Sequence, residues 1–268
     1  MPLNPYIFLG FISISLNLSG VYFDRALPLR FDSGTLELTF LPGLQIDLCR
    51  TMRLLQPDWR MIMAQDTNQP LSGMHIAILL TNGFEQVEYT EPRTALEQHG
   101  AIPKVISVQK SKVQGFHHDT KGDQFDVDLT FQEADPKDFD AVLLPGGVIN
   151  GDQIRIIPEA QRFVQAMDEA GKPIAAICHG AWLLVSAKLV EGRRLTSWPT
   201  LQDDIRNAGG NWVDQEVVVD GSLVTSRKPA DIPAFNSKMI DVMFQRLAGS
   251  ARGTRDEPGL ESGIGISG

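Results

Sequence analysis

Short apolar runs alternate with amphipathic stretches along the chain from His75 onward. Four of these runs predict buried strands, over residues 75–81, 104–108, 140–144 and 173–177. Continuous Ile, Val, Leu and Ala residues are typical of parallel strands that are covered on both faces. Residues 109–131 are more polar and contain only short β-like pieces such as Asp126–Phe131.

Helices are predicted between these strands. The stretch over 85–99 stops before Gly100 and the stretch over 158–171 stops at Gly171; Pro158 suits a first helical position, and Pro92 predicts a kink. Two further helices are indicated by apolar stripes at spacings of three or four, which comprise Ala181, Leu184, Val185 and Leu189, and Phe235, Met239, Met243 and Leu247. Asp220-Gly221 between two apolar segments predicts a hairpin. The alternation predicts an α/β fold, a doubly wound sheet with helices on both faces.

The two ends of the chain lack this pattern. Residues 1–72 show no sustained period of apolar residues and stay unassigned. The Gly-rich segment 249–268 is predicted to be disordered. Residues 73–248 are therefore predicted to form one domain. Tyr6–Leu16 is apolar and about as long as a signal-peptide core, but no Lys or Arg precedes it and no A-x-A pattern follows. We therefore favour an uninformative leader, outside the mature protein and ahead of a start at Met63 or Met74, over a secretory signal.

Composition narrows the classes of function. The formal net charge is -9, which disfavours binding to phosphate backbones and so to nucleic acid. Two cysteines, Cys49 and Cys178, are too few for a disulfide framework, so we expect a cytoplasmic protein. No segment is long and apolar enough to predict a membrane span. Neither metal-ligand spacing nor a Walker motif is present, so we expect no metal and no cofactor.

Cys178 is the strongest candidate for chemistry. It follows a predicted strand and precedes a predicted helix, in the sequence AICHG. A sharp turn between strand and helix lifts a side chain out at the carboxyl end of a sheet, and a helix N-terminus is expected to lower the thiol pKa below about 8.5. The alternative is a buried cysteine that packs as a small hydrophobic residue. His179 is a candidate base, a backbone donor, or simply a solvated residue at a helix start.

The sequence resembles the PfpI family of the ThiJ/PfpI superfamily over about residues 74–248. Four ordered motifs carry the resemblance: FEQVEYTEP, DLTFQEADPKDFDAVLLPGG, AICHG and DQEVVVDGSLVTSRKPADIPAF. The resemblance implies a flavodoxin-like sheet of the class I glutamine amidotransferase type and a homo-oligomer, either dimer or hexamer. Where the family usually has Pro after AICHG, this chain has Ala181-Trp182, and this Trp is expected to reshape the pocket.

The resemblance also implies the roles of particular residues. Cys178 is the nucleophile, Glu85 is the acid beside its sulfur, and His179 is the histidine of a triad whose acid comes from a neighbouring subunit. Asp152 is the candidate for that acid, with a plain loop aspartate as the alternative. The backbone N–H groups of Gly147 and His179 are expected to form an oxyanion hole.

Three functions remain open at this point. Amidotransferase chemistry is excluded because it needs a histidine well after the cysteine, and only His179 follows Cys178. The favoured hypothesis is a glyoxalase or deglycase that acts on α-oxoaldehydes or early glycation adducts. The alternatives are an intracellular cysteine peptidase that acts on peptide substrates, and an oxidative-stress sensor in which Cys178 itself is oxidised. Hydrolysis of an amide demands a well-aligned acid on His179, whereas addition to an aldehyde does not.

Overall fold

The chain consists of two units, Met1–Gln65 and Asp66–Gly268, whose division lies a few residues before the predicted boundary at residue 73. The computed structural model describes strands between residues 11 and 45 and the continuous chain over 69–253, with side chains over 69–248. Cys49, Met63 and residues 254–268 of the predicted tail lie outside the described residues.

The first unit contains paired antiparallel strands. These are β1 (Phe11–Leu18) with β2 (Val21–Pro28), β3 (Arg30–Asp32) with β4 (Thr35–Glu37), and β5 (Thr39–Phe40) with β6 (Leu44–Gln45). In β1, apolar residues at 12, 14, 16 and 18 alternate with Ser and Asn. This alternation is a period of two, so the expectation that residues 1–72 have no period is wrong for this stretch.

A seven-stranded sheet forms the centre of the second unit. Its strands are β7 (His75–Leu79), β9 (Ile102–Ser107), β12 (Leu129–Thr130), β13 (Ala141–Leu144), β14 (Ile174–Ile177), β17 (Val217–Asp220) and β18 (Leu223–Ser226), in the order β12-β9-β7-β13-β14-β18-β17. All neighbours are parallel except β17 and β18. The five central strands follow the flavodoxin order 2-1-3-4-5, which confirms the predicted doubly wound fold.

Helices cover both faces of this sheet. They are α1 (Gln86–Gln98), α2 (Val148–Ile154), α3 (Pro158–Glu169), α4 (Ala181–Ser186), α5 (Gln202–Asn207) and α6 (Ile232–Gly253). Alternate residues of β13 enter different cores: Val142 and Leu144 pack with α3 and α4, and Ala141 and Leu143 pack with α1 and α6. Strands buried on both faces therefore explain the unbroken apolar runs of the sequence.

Smaller strands complete the unit. They are β8 (Phe84–Glu85), β10 (Lys112–His117), β11 (Thr120–Asp126), β15 (Arg194–Leu195) and β16 (Asn211–Trp212). The order β11-β10-β8 makes a second sheet from the polar region 109–131. Gln86 on α1 fixes this hairpin, because its amide donates to Asp123 Oδ2 at 2.7 Å and accepts from Asp123 N–H at 2.7 Å.

Several predicted boundaries differ from those observed. α4 ends at Ser186, so Leu189 lies beyond the helix. The hairpin turn is Gly221-Ser222 rather than Asp220-Gly221, since Asp220 pairs with Leu223. α1 contains Pro92 and continues to Gln98. The last helix extends to Gly253, into the segment predicted to be disordered, because its helical backbone continues beyond the apolar stripe that ends at Leu247.

Candidate active site

The candidate site lies where the parallel strands end. Cys178 follows β14 directly, Pro145-Gly146-Gly147 follows β13, and β8 follows β7 after a short turn. The strand order reverses between β7 and β13, which is the position at which open α/β sheets bind ligands. The fold thus brings segments that are distant in sequence to one edge of the sheet.

Cys178 adopts a left-handed backbone conformation, with φ at 58°. A non-glycine residue is disfavoured there by about 1–3 kcal/mol and keeps the conformation only when its surroundings impose it. Gly180 allows this elbow, because a Cβ at that position would overlap the carbonyl oxygen of Leu144. Gly146 also allows it, since its Cβ would come within 2.6 Å of Cys178 Cβ. The predicted sharp turn between strand and helix is therefore present.

The sulfur of Cys178 is enclosed, and the residue is 6% exposed. Burial raises the thiol pKa well above its ordinary value, and the negative charge of Glu88 raises it further, against the lowering effect of the Gly147 and His179 backbone N–H groups. The predicted low thiol pKa is therefore wrong in direction. Cys178 begins a single 3-10 turn, Cys178–Gly180. The effect of burial on the thiol pKa therefore outweighs any lowering by a helix N-terminus.

The acid beside the sulfur is Glu88. Glu88 and Cys178 lie close enough for each side chain to shift the pKa of the other, and Glu88 Oε2 accepts from Gly146 N–H at 3.0 Å. Burial, helped by the charge of Glu85, raises the pKa of Glu88 to about 8. Glu88 Oε1 is buried without a hydrogen-bond partner among the described residues, which a neutral, protonated carboxyl tolerates better than a carboxylate does. Glu88 lies on the buried face of α1, whose other members include Tyr89, Pro92 and Leu96.

Glu85 does not have the predicted contact with Cys178. It precedes α1, and its carboxylate Oε2 accepts from His118 N–H at 3.0 Å and lies 3.5 Å from His118 Nδ1. The two glutamates are three residues apart, but Glu85 lies in β8 with an extended backbone and faces the β10–β11 hairpin, whereas Glu88 lies in the first turn of α1 and its carboxyl reaches Gly146. The helical period could have found this: Glu88, Pro92 and Leu96 follow at spacings of four.

His179 contacts Cys178 directly. Its Nδ1 lies 3.3 Å from Cys178 Sγ. Burial lowers the pKa of His179 to about 4, so the imidazole is neutral at neutral pH. A neutral ring is able to accept the thiol proton. Cys178 and His179 are adjacent in sequence, and their side chains meet at the left-handed elbow.

The other predicted residues occupy different places around this pair. Gly147 starts α2 with φ at 87°, and its N–H faces the Cys178 sulfur, as does that of His179. Asp152 is exposed on α2. No contact between Asp152 and His179 is present in the described chain.

Asn150 is a residue that the sequence interpretation missed. It is fully buried; its Oδ1 accepts from Thr81 N–H at 2.7 Å and its Nδ2 donates to Pro145 O at 3.0 Å and Gly146 O at 3.1 Å. These bonds tie the loop after β7 to the loop after β13. The available signal was a polar residue in the otherwise apolar start of the segment Val148–Gly151.

Within residues 69–248, no group of three or more His, Cys, Asp or Glu side chains is arranged to hold a metal ion. Among the helices that the structure describes, none has the length and apolar character needed to cross a membrane.

Comparison with known proteins places this site in a family. The profile described as DJ-1/PfpI family matches residues 74–242. A deglycase of Thermococcus kodakarensis is 41% identical over 170 residues, which cover 63% of this chain and 99% of that protein. Protein/nucleic acid deglycase 2 of Escherichia coli is 39% identical over 173 residues, or 63% of this chain and 96% of that protein. The crystal structure of Drosophila melanogaster DJ-1beta superposes with a TM-score of 0.58 at 25% identity, covering 68% of this chain and 97% of that one. The chain therefore belongs to the DJ-1/PfpI family.

Proposed function

We propose that this protein is a cysteine-dependent enzyme that converts α-oxoaldehydes, and early glycation adducts formed from them, into hydroxy acids. The observation that carries the proposal is the buried Cys178 thiol between a neutral imidazole, 3.3 Å away, and the Glu88 carboxyl. Such a site supplies a nucleophile, a proton acceptor and a proton donor in one place. The deglycase relative supports the same class of chemistry.

The first step is addition of the thiol to the aldehyde. Cys178 Sγ bonds to the aldehyde carbon, and the thiol proton passes through His179 Nδ1 to the carbonyl oxygen, which gives a hemithioacetal. Because the resting thiol pKa is raised, proton transfer accompanies bond formation. The Gly147 and His179 N–H groups face the sulfur, so they are candidates to stabilise the oxyanion that forms on the neighbouring carbon.

The remaining steps rearrange and release the product. The former aldehyde hydrogen leaves as a proton to a base, and a proton returns to the adjacent carbon, so that an enediol becomes a 2-hydroxy thioester. Water then hydrolyses the thioester and restores the thiol. One carbon is oxidised and its neighbour reduced, so no external oxidant is consumed. We assign the proton movements to Glu88, whose pKa of about 8 allows both protonation states near neutral pH.

The proposed substrate class follows from the carbon skeleton of the substrates and from the net charge of the protein. Early dicarbonyl adducts on Lys, Arg and Cys side chains present the same carbon skeleton as the free aldehyde. The net charge of -9 favours free aldehydes and protein adducts over nucleic-acid adducts for this chain, although the Escherichia coli relative is named for both. Because Cys178 must remain reduced, we place the enzyme in the cytoplasm.

Methylglyoxal provides the test. The purified protein, reduced and without glutathione, is expected to consume methylglyoxal and form lactate, while Cys178→Ala forms none. Cys49→Ala is the matched control, since it removes the other thiol of the chain and should retain turnover. Lactate formation by Cys178→Ala, or equal loss in both variants, would contradict the mechanism.

Peptidase activity is a second candidate, favoured by the direct contact between Cys178 and His179. Amide hydrolysis requires an acid aligned on His179. Asp152 remains our candidate for that acid, supplied by a second subunit of a homo-oligomer.

A sensor role at the same cysteine is a third candidate and is compatible with either activity. Two molecules of hydrogen peroxide would oxidise Cys178, the first to the sulfenic and the second to the sulfinic acid; each adds one oxygen atom to sulfur and is reduced to water. A protonated Glu88 beside the sulfur would donate a hydrogen bond to the sulfinate. Mass spectrometry after peroxide treatment should then find more sulfinic acid in the wild type than in Glu88→Ala, and equal amounts would remove this candidate.

A further inference from the structure

The His179 ring lies between two indoles. Trp198 stacks on it with ring centroids 5.9 Å apart and an interplanar angle of 25°. Trp182 meets it edge-on, with centroids 5.2 Å apart and an angle of 61°. Two aromatic contacts and one sulfur contact thus define the orientation of a ring that is only 9% exposed.

Trp182 is itself fixed from two sides. Its Nε1–H donates to Asp204 Oδ2 on α5 at 2.8 Å. The Arg155 guanidinium lies over its ring, 5.1 Å from the centroid, and Arg155 Nε donates to Ser186 Oγ at 3.0 Å. The indole therefore has one orientation, set by the end of α2, by α4 and by α5.

The backbone of α2 passes close to both rings. A Cβ at Gly151 would come within 3.0 Å of His179 Cβ and 3.2 Å of Trp182 Cε3. Real Cβ atoms rarely approach other atoms this closely, so the absence of a side chain at residue 151 lets the two rings pack beneath the helix.

We propose that Trp182, anchored by Asp204 and Arg155, is a positioning residue that holds the His179 imidazole with Nδ1 toward Cys178 Sγ. In serine-type triads a carboxylate orients the histidine; here the imidazole contacts a sulfur atom and two indoles instead. The role of His179 in catalysis rests on the proposed function, whereas the orientation of its ring does not.

The packing has a second consequence for the same ring. The indoles exclude water from His179, and burial is the cause of its lowered pKa. The ionisable groups packed around it are Cys178 at its Nδ1, Glu88 behind the sulfur, and Asp204 and Arg155 beyond Trp182. Removal of the Trp182 ring should therefore expose the imidazole to water and raise its pKa toward its ordinary value of 6.5.

The test follows His179 directly. Its imidazole resonance, assigned by its loss in His179→Gln, is titrated by NMR in the wild type, Trp182→Leu and Trp182→Phe. We expect Trp182→Leu to raise the titration midpoint by about one pH unit or more and to lower kcat for methylglyoxal about tenfold, with KM nearly unchanged. Trp182→Phe keeps a ring edge against His179, so its titration midpoint and its kcat should stay close to those of the wild type.

A milder variant keeps the proposal testable if Trp182→Leu fails to fold. Asp204→Ala frees the indole and should shift the His179 midpoint in the same direction by a smaller amount, whereas Asp203→Ala on the exposed side of the same helix should not shift it. An unchanged midpoint in both Trp182→Leu and Asp204→Ala would overturn the proposal. The titration needs no substrate, so a shifted midpoint without methylglyoxal turnover would support the positioning role and reject the proposed function instead.

Discussion

At the scale of single residues, the central feature is a carboxyl and a thiol that share one buried space. Glu88 and Cys178 each have a raised pKa, and burial is the first cause for both. Two negative charges in contact would destabilise each other strongly in such surroundings. The pair is therefore expected to carry at most one negative charge at neutral pH, and the position of the remaining proton decides which group reacts.

The raised pKa of Glu88 predicts a pH-dependent stability. Between its ordinary value of 4.5 and about 8, the folded protein keeps a proton that the unfolded chain has lost. The stability attributable to Glu88 therefore falls as pH rises through this window, by at most about 1.4 kcal/mol for each step of one in pH, and levels off above it. Urea unfolding at pH 5 and pH 8 should show that Glu88→Gln gains stability relative to the wild type as pH rises.

The matched control is Glu91→Gln, on the exposed side of the same helix. Its stability difference from the wild type should stay nearly constant between the two pH values. A constant difference for Glu88→Gln as well would mean that Glu88 is ionised in the folded protein.

Sequence reasoning predicted Cys178 at the elbow between strand and helix, but not the surroundings of its thiol. Cys178 could be found because strand, turn and helix signals converge on one residue. The choice between Glu85 and Glu88 needed the rotation of α1 relative to Gly146, and the direction of the thiol pKa needed the depth of burial. Both depend on packing between segments far apart in sequence, which local pattern does not encode.

At the scale of elements, α2 links the two loops of the site. Asn150 on this helix is bonded to Thr81, Pro145 and Gly146, so it fixes the position of Gly147 relative to the elbow. The helix begins at the glycine pair and carries Gly151 against His179. A short element thus sets the distances of several site groups at once.

Replacement of Asn150 tests this link. Asn150→Ala removes the partners of the buried Thr81 N–H and Pro145 carbonyl and one of the two donors to the Gly146 carbonyl, and should lower the free energy of unfolding by about 2–4 kcal/mol. Gln153→Ala, at an exposed position of the same helix, should change it by less than about 0.5 kcal/mol. Equal unfolding midpoints in urea for the two variants would mean that the Asn150 bonds contribute little.

Elements were predictable where one residue class dominates over a full strand or helix. The runs at 75–79, 141–144 and 174–177 are apolar throughout or nearly so, and were found within a few residues. The β10–β11 hairpin was not predicted as a unit, because the predicted β-like piece, residues 126–131, contains β12 and overlaps β11 only at Asp126. Most residues of the hairpin are polar, and its position depends on Gln86 and on pairing with the very short β8.

At the scale of the whole molecule, an exposed apolar surface lies beside the site. Val148 and Ile149 on α2 are 53% and 42% exposed, and Ile156 just beyond the helix is 74% exposed. Asp152 lies on the same segment. Such a surface supports the predicted homo-oligomer and the proposal that Asp152 of one copy serves His179 of another.

Mixed oligomers provide the test of a shared site. Asp152→Ala alone should abolish any peptidase activity and spare methylglyoxal turnover, because addition to an aldehyde does not need the acid. His179→Ala alone should also lack peptidase activity. Unfolding and refolding of the two variants together should restore part of it if the acid comes from a second subunit, whereas no restoration would contradict a shared triad.

The left-handed backbone at Cys178 has a consequence for how such a protein can evolve. Glycine adopts this conformation without penalty, so a chain selected only for resistance to heat would gain from glycine at residue 178 and lose the thiol that we propose as its nucleophile. Stability and reactivity therefore oppose each other at this position, and a more heat-resistant active descendant would have to acquire its extra stability at other sites, such as the two separate cores on either side of the sheet.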